Sequence, residues 1–188
     1  MYMIILASKV IGKPVLTIRA GRAAATVTGV LIDPFKLQVA GFWVQKGAKA
    51  KGSHLLLSQD IREFTMRGVI IDDTASIVET DDLPRFKEIF EIDYQIPGKK
   101  VISGRRKHGK ATDFGINTAT LHIASITGKP SLTRMLGSTS FSFARKQIKS
   151  INDSTIEVND SPLGISLKDS LPKSKTRTKS VYQASSEL

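Results

Sequence analysis

Apolar and polar residues alternate with a period of two along much of the chain, the spacing that sends successive side chains to opposite faces of a β-strand. Val27, Gly29 and Leu31 interleave with Thr26, Thr28 and Val30. The run 37–44, Leu-Gln-Val-Ala-Gly-Phe-Trp-Val, is rich in β-branched and aromatic residues and follows a turn signal at Asp33-Pro34. Shorter runs at 55–57, 61–65, 69–71 and 77–78 predict further strands, and 118–126, 141–143, 148–151 and 156–158 repeat the pattern downstream.

Sliding one half of the chain over the other exposes an internal repeat. At a shift of 86, Gly12-Lys13 falls on Gly98-Lys99, Val15-Leu16 on Val101-Ile102, Thr26 on Thr112, Gly29-Val30 on Gly115-Ile116 and Leu37 on Ile123. At a shift of 87, Ile61, Phe64, Val69, Ile71 and Asp73 fall on Ile148, Ile151, Ile156, Val158 and Asp160. The expected fold class is all-β: two tandem small β-barrels, 1–80 and 95–164, because closing a small sheet removes its exposed edges. A helical linker is expected over 81–94. Asp82 would cap it, Pro84 would sit in its first turn, and Leu83, Phe86, Ile89 and Phe90 would line the face that packs on a barrel. Residues 165–188 turn to Lys, Ser and Thr with too few apolar side chains to offset the entropy of ordering, so a disordered basic tail is expected there.

Composition narrows the chemistry. The 188 residues include no cysteine, which excludes disulfides, thiolate metal sites and a cysteine nucleophile. The opening apolar run 1–7 lacks a preceding basic segment and no stretch approaches a membrane span, so a soluble cytoplasmic protein is expected. There are 28 Lys and Arg against 17 Asp and Glu, a net charge of +11. The surplus is uneven, with 10 basic against 6 acidic residues in 1–80 and 11 against 4 in 97–164. A positive surface steers anions toward itself, which points to RNA, an acidic protein or an anionic membrane surface.

One segment imitates nucleotide-binding chemistry. Gly104-Arg105-Arg106-Lys107-His108-Gly109-Lys110-Ala111 matches the phosphate-loop pattern except at its last position, where Ala111 lacks the hydroxyl that ligates magnesium. The residues after it alternate like a strand, whereas a phosphate loop must open a helix. A basic β-hairpin tip is the expected structure. His54, His108 and His122 have no metal-ligand spacing, the pairs Asp72-Asp73 and Asp81-Asp82 suit turns and caps, and no Gly-x-Ser-x-Gly elbow occurs. No catalytic residue, cofactor, metal site or small-molecule substrate is expected. The candidate anion or RNA contacts are Arg105, Arg106, Lys107 and Lys110 at the tip and Lys46, Lys49 and Lys51 in the loop after the 37–44 run. The basic tail 173–179 could add attraction. The aromatic residues lie in or beside strands, so stacking platforms for single-stranded RNA are not expected.

The segments Ala7-Ser8-Lys9-Val10-Ile11-Gly12-Lys13-Pro14-Val15, Gly29-Val30-Leu31-Ile32-Asp33-Pro34, 39–44 and Leu55-Leu56-Leu57-Ser58-Gln59-Asp60-Ile61 resemble, in order and spacing, the PRC-barrel family. The second copy resembles a more divergent member. Related barrels occur in the photosynthetic reaction-centre H subunit and at the end of the bacterial 16S ribosomal RNA maturation factor. The resemblance implies a barrel of about six strands that works by binding and carries no general catalytic residues. The expected function is therefore a non-catalytic adaptor docking a protein partner in a ribosomal, envelope or division complex. Direct RNA binding in 16S ribosomal RNA maturation is the alternative.

Overall fold

A computed structural model describes residues 3–47, 54–130 and 140–160. The expected disordered tail lies outside the described residues. The chain is all-β with short helices, arranged as two tandem barrel-like units. The first comprises β2 (Pro14–Thr17), β3 (Ala23–Asp33), β4 (Gln38–Gln45), β5 (His54–Leu57), β6 (Ile61–Phe64), β7 (Val69–Ile71) and β8 (Ile77–Glu79), in the spatial order β6-β7-β2-β3-β4-β5-β8. The second comprises β9 (Lys100–Ser103), β10 (Arg106–Asn117), β11 (Ile123–Pro130), β12 (Phe141–Ala144), β13 (Ile148–Ile151) and β14 (Thr155–Val158), ordered β12-β11-β10-β9-β14-β13. In each unit one parallel pair, β2 with β7 and β9 with β14, joins otherwise antiparallel strands.

The registers confirm the repeat and correct its frame. Pro14 pairs with Thr26 as Lys100 pairs with Lys110, and Val30 pairs with Phe42 as Phe114 pairs with Ile126. The 86-residue shift holds through β2 and β9, but the following turn is two residues shorter in the second unit. Equivalent residues in β3/β10 and β4/β11 are therefore 84 apart: Thr26 matches Lys110, Gly29-Val30 match Asp113-Phe114, and Leu37 matches Leu121. From β5 onward the 87-residue shift holds as expected, with Ile61 opposite Ile71 and Ile148 opposite Val158. The strand expected over 118–126 begins only at Ile123, because Asn117 Oδ1 accepts the N–H groups of Ala119 and Thr120 and holds a turn there.

The units share one core. Val15, Phe42 and Ile71 belong to the same buried cluster as Val101, Ile116 and Ile156. Each unit's leading segment lies on the other unit: β1 (Ile4–Leu6) pairs with β10, Ile4 opposite Asn117, and the single turn α1 (Ala7–Val10) follows it into the core. Reciprocally, α2 (Lys87–Ile92), which precedes the second unit, packs against β3. The two long-strand turns also meet, Val39 N–H donating to Leu121 O at 2.8 Å and Ile123 N–H to Leu37 O at 3.0 Å. His122 sits there, bridged to Gln38.

The linker packs as expected but is capped differently. Leu83, Phe86, Ile89 and Phe90 cover Leu31, Leu55, Leu57 and Trp43 on the outer face of the first unit. Asp82 does not cap a helix. It ends a short 3-10 turn, Thr80–Asp82, and a second such turn, Pro84–Phe86, leads into α2.

Candidate basic binding face

The segment resembling a phosphate loop forms the β9–β10 hairpin. Ser103 pairs with Arg106, so Gly104 and Arg105 make a two-residue turn, with Gly104 in the left-handed region at φ 55°. Strand β10 continues from this turn without a helix, so no row of helix N-terminal N–H groups faces a phosphate.

Within the hairpin the cations diverge. Arg105 projects at the tip, exposed. Arg106 turns back to Asp160, Nη1 to Oδ2 at 3.1 Å, an exposed pair of small energetic weight. His108 points inward, its Nε2 2.8 Å from Asp160 Oδ1 and its ring packed edge-on against Phe143. Lys107 and Lys110 remain exposed on the outer face.

Pairing adds two lysines that reading along the chain did not single out. Lys110 stands opposite Lys100 on β9 and opposite Lys129 on β11. Directly opposed residues of antiparallel neighbours put their side chains on the same face, about 5 Å apart at Cβ, and like charges there are destabilising. Three lysines thus form a row across three strands, with Lys107 beside it opposite Ile102. Among the described residues none of the four takes part in an ion pair. They surround a concavity of about 570 Å³ whose lining includes Ile102, Gly109, Thr112 and Pro130. Gly109 is obligatory there: its φ is 147°, and an added Cβ would lie 2.0 Å from Lys129 O.

Of the loop candidates, Lys46 lies at the end of β4 on the other unit, half-buried, with Nζ 3.3 Å from Ile77 O. It does not extend the row. Lys49 and Lys51 lie outside the described residues.

Two other clusters look chemical and have structural roles. Lys99 is buried, donates to Asp153 O at 2.5 Å and lies 4.2 Å above the Tyr94 ring. Burial holds its amine below the ordinary lysine range, partly offset by Asp153. Burial also pushes Tyr94 up to about 12. The first unit repeats the arrangement without Tyr94: Lys13 donates to Met66 O at 2.8 Å, and Met66 is the register equivalent of Asp153. A lysine that ties a loop carbonyl in both units is a fold element. His54 is buried at the start of β5, 3.9 Å from Glu79. Among the described residues no group of three His, Cys, Asp or Glu could hold a metal ion, and no helix is long and apolar enough to cross a membrane.

The sequence matches no protein-family model and no curated protein.

Proposed function

We propose that this chain is a non-catalytic, PRC-barrel-type adaptor of the cytoplasm that docks an acidic protein partner through its second unit. The observation that carries the reading is a difference between register equivalents. Lys100, Lys107, Lys110 and Lys129 of the second unit occupy the positions of Pro14, Ala23, Thr26 and Gln45 in the first. The shared core is built from apolar residues of both units, such as Val15 and Val101 or Ile32 and Ile116, and includes none of these four lysines, so barrel formation does not require their charges. Four exposed lysines that form no ion pair among the described residues are suited to steering and holding an anionic surface. The acidic residues on the neighbouring strands have partners of their own: Glu157, opposite Ile102, is engaged by Lys149 at 3.7 Å, and Asp113 on β10 accepts from the Ser8 hydroxyl and N–H.

A ribosomal, envelope or division complex would supply such a partner. The test is affinity purification of the full chain from nuclease-treated lysate, beside a variant carrying Lys107→Ala, Lys110→Thr and Lys129→Gln. A protein retained by the wild type and lost by the variant is the expected outcome. The RNA-binding reading draws on Arg105 and Lys107, both exposed at the hairpin. Capture that disappears on nuclease treatment, with an affinity falling steeply with salt as counterions are released, would replace the adaptor reading by that one.

A further inference from the structure

We infer that the outer face of β9, β10 and β11 takes an extended acidic polypeptide segment that carries an aliphatic side chain among its carboxylates. The inference rests on the adaptor reading and specifies what its basic face recognises.

Lys100, Lys110 and Lys129 stand on adjacent strands in direct register. With neighbouring strands about 4.8 Å apart, the row spans roughly 10 Å from first to last Cα. Such a row is unfavourable in the free protein and is relieved by a ligand that places anions between the amines. Lysine stems are long and flexible, so their ammonium groups can follow carboxylates that recur on one side of an extended chain about every 7 Å. The partner's chemistry is set by what lies between the amines. Ile102 and Pro130 are half-buried, Gly109 contributes bare backbone, and no aromatic ring lines the concavity among the described residues. An aliphatic floor gains from covering an aliphatic side chain and offers a nucleobase nothing to stack on. Lysines also lack the planar fork with which arginine grips phosphate in two-point contacts. Neither exposed arginine of the hairpin, Arg105 at the tip or Arg106 paired with Asp160, lines the concavity.

Titration calorimetry on the full chain tests this with four probes at equal concentration of charge: a Glu-Leu peptide repeating Glu-Ser-Glu-Ser-Leu-Ser, which sets Glu and Leu on one side of an extended chain, an all-Glu peptide of the same charge, a single-stranded RNA and phosphatidylglycerol vesicles. The Glu-Leu peptide is expected to bind at least tenfold tighter than the all-Glu peptide and to retain that advantage in 0.5 M salt, since apolar contact is not screened. The double substitution Lys110→Thr, Lys129→Gln, which installs the first unit's residues, should weaken it at least tenfold. The same variant should melt no lower than the wild type, because opposed like charges have been removed, so lost binding cannot be ascribed to unfolding. RNA or vesicles binding more tightly than either peptide would overturn the inference, as would equal affinity for the two peptides or indifference to the double substitution. If the peptides fail but a protein partner is still captured by both wild type and variant from nuclease-treated lysate, the adaptor reading survives with its contact elsewhere. Failure of both experiments removes both.

Discussion

The two units share a strand plan and differ in what their outer faces do. Leu31, Trp43, Leu55 and Leu57 of the first unit correspond in register to Gly115, Thr127, Ser142 and Ala144 of the second. The first set is apolar and lies under the linker helix. The second consists of two small residues and two hydroxyl residues and presents far less apolar surface to cover. Along the neighbouring strands the contrast reverses in kind, Pro14, Thr26 and Gln45 facing Lys100, Lys110 and Lys129 across the repeat. Inward positions kept their character because each is packed on all sides, whereas outward positions answer only to solvent or a partner and were free to diverge.

The comparison can be broken most severely in the core. Ile32 and Ile116 are register equivalents, both almost fully buried in the shared cluster. Truncating either to alanine should cost about 2–5 kcal/mol, and each variant should still unfold in one urea transition that moves as a whole. Two transitions, each responding only to its own substitution, would show that the units are thermodynamically separate. A smaller effect distinguishes the paired lysines. Lys99→Ala strips the donor from a half-buried carbonyl contact and the cation from the Tyr94 ring, and should cost about 1–3 kcal/mol by urea denaturation. Lys13→Ala, whose contact is exposed, should cost less, and equal losses would remove the distinction.

The smallest effect is read from the acid limb of the stability curve. Asp73 accepts hydrogen bonds from Ala75 N–H, Arg19 and the Thr74 hydroxyl, and these hold its carboxyl down to about 2 from an ordinary 3.8. A folded value below the unfolded one means that its contribution is complete above 3.8 and is lost as pH falls through about 2. Asp73→Asn should therefore lower the urea midpoint slightly at neutral pH, flatten its decline between those two pH values and meet the wild type below about 2. An unaltered acid slope would show that this carboxylate does not act on stability.

The repeat was legible because apolar partners recur wherever strands bury a face, as at Val15 and Val101 or Ile71 and Val158. The lysine row was not. It exists only across strands, and the shorter hairpin turn displaced the frame by two residues, so that Thr26 was set against Thr112 when its structural counterpart is Lys110. Arg106 and Lys46 were chosen for their charge, but what each amine or guanidinium touches depends on tertiary neighbours: Asp160 for one, the Ile77 carbonyl for the other. The membership of β1 was equally hidden, since an apolar triplet such as Ile4-Ile5-Leu6 suits the edge of either sheet.

That crossed strand has a consequence for how the molecule is made. Ile4 leaves the ribosome well before its partner Asn117, which follows more than a hundred positions later. At about 5–20 residues per second, the interval is on the order of ten seconds, long compared with the microseconds in which a local hairpin closes. Once Glu79 has been made, about two thirds of the way through, the first unit has every strand of its own sheet available while β1 still waits for β10 to be synthesised. The final closure of the shared core is thus timed by translation, with a segment made before the whole first sheet among the last to reach its place.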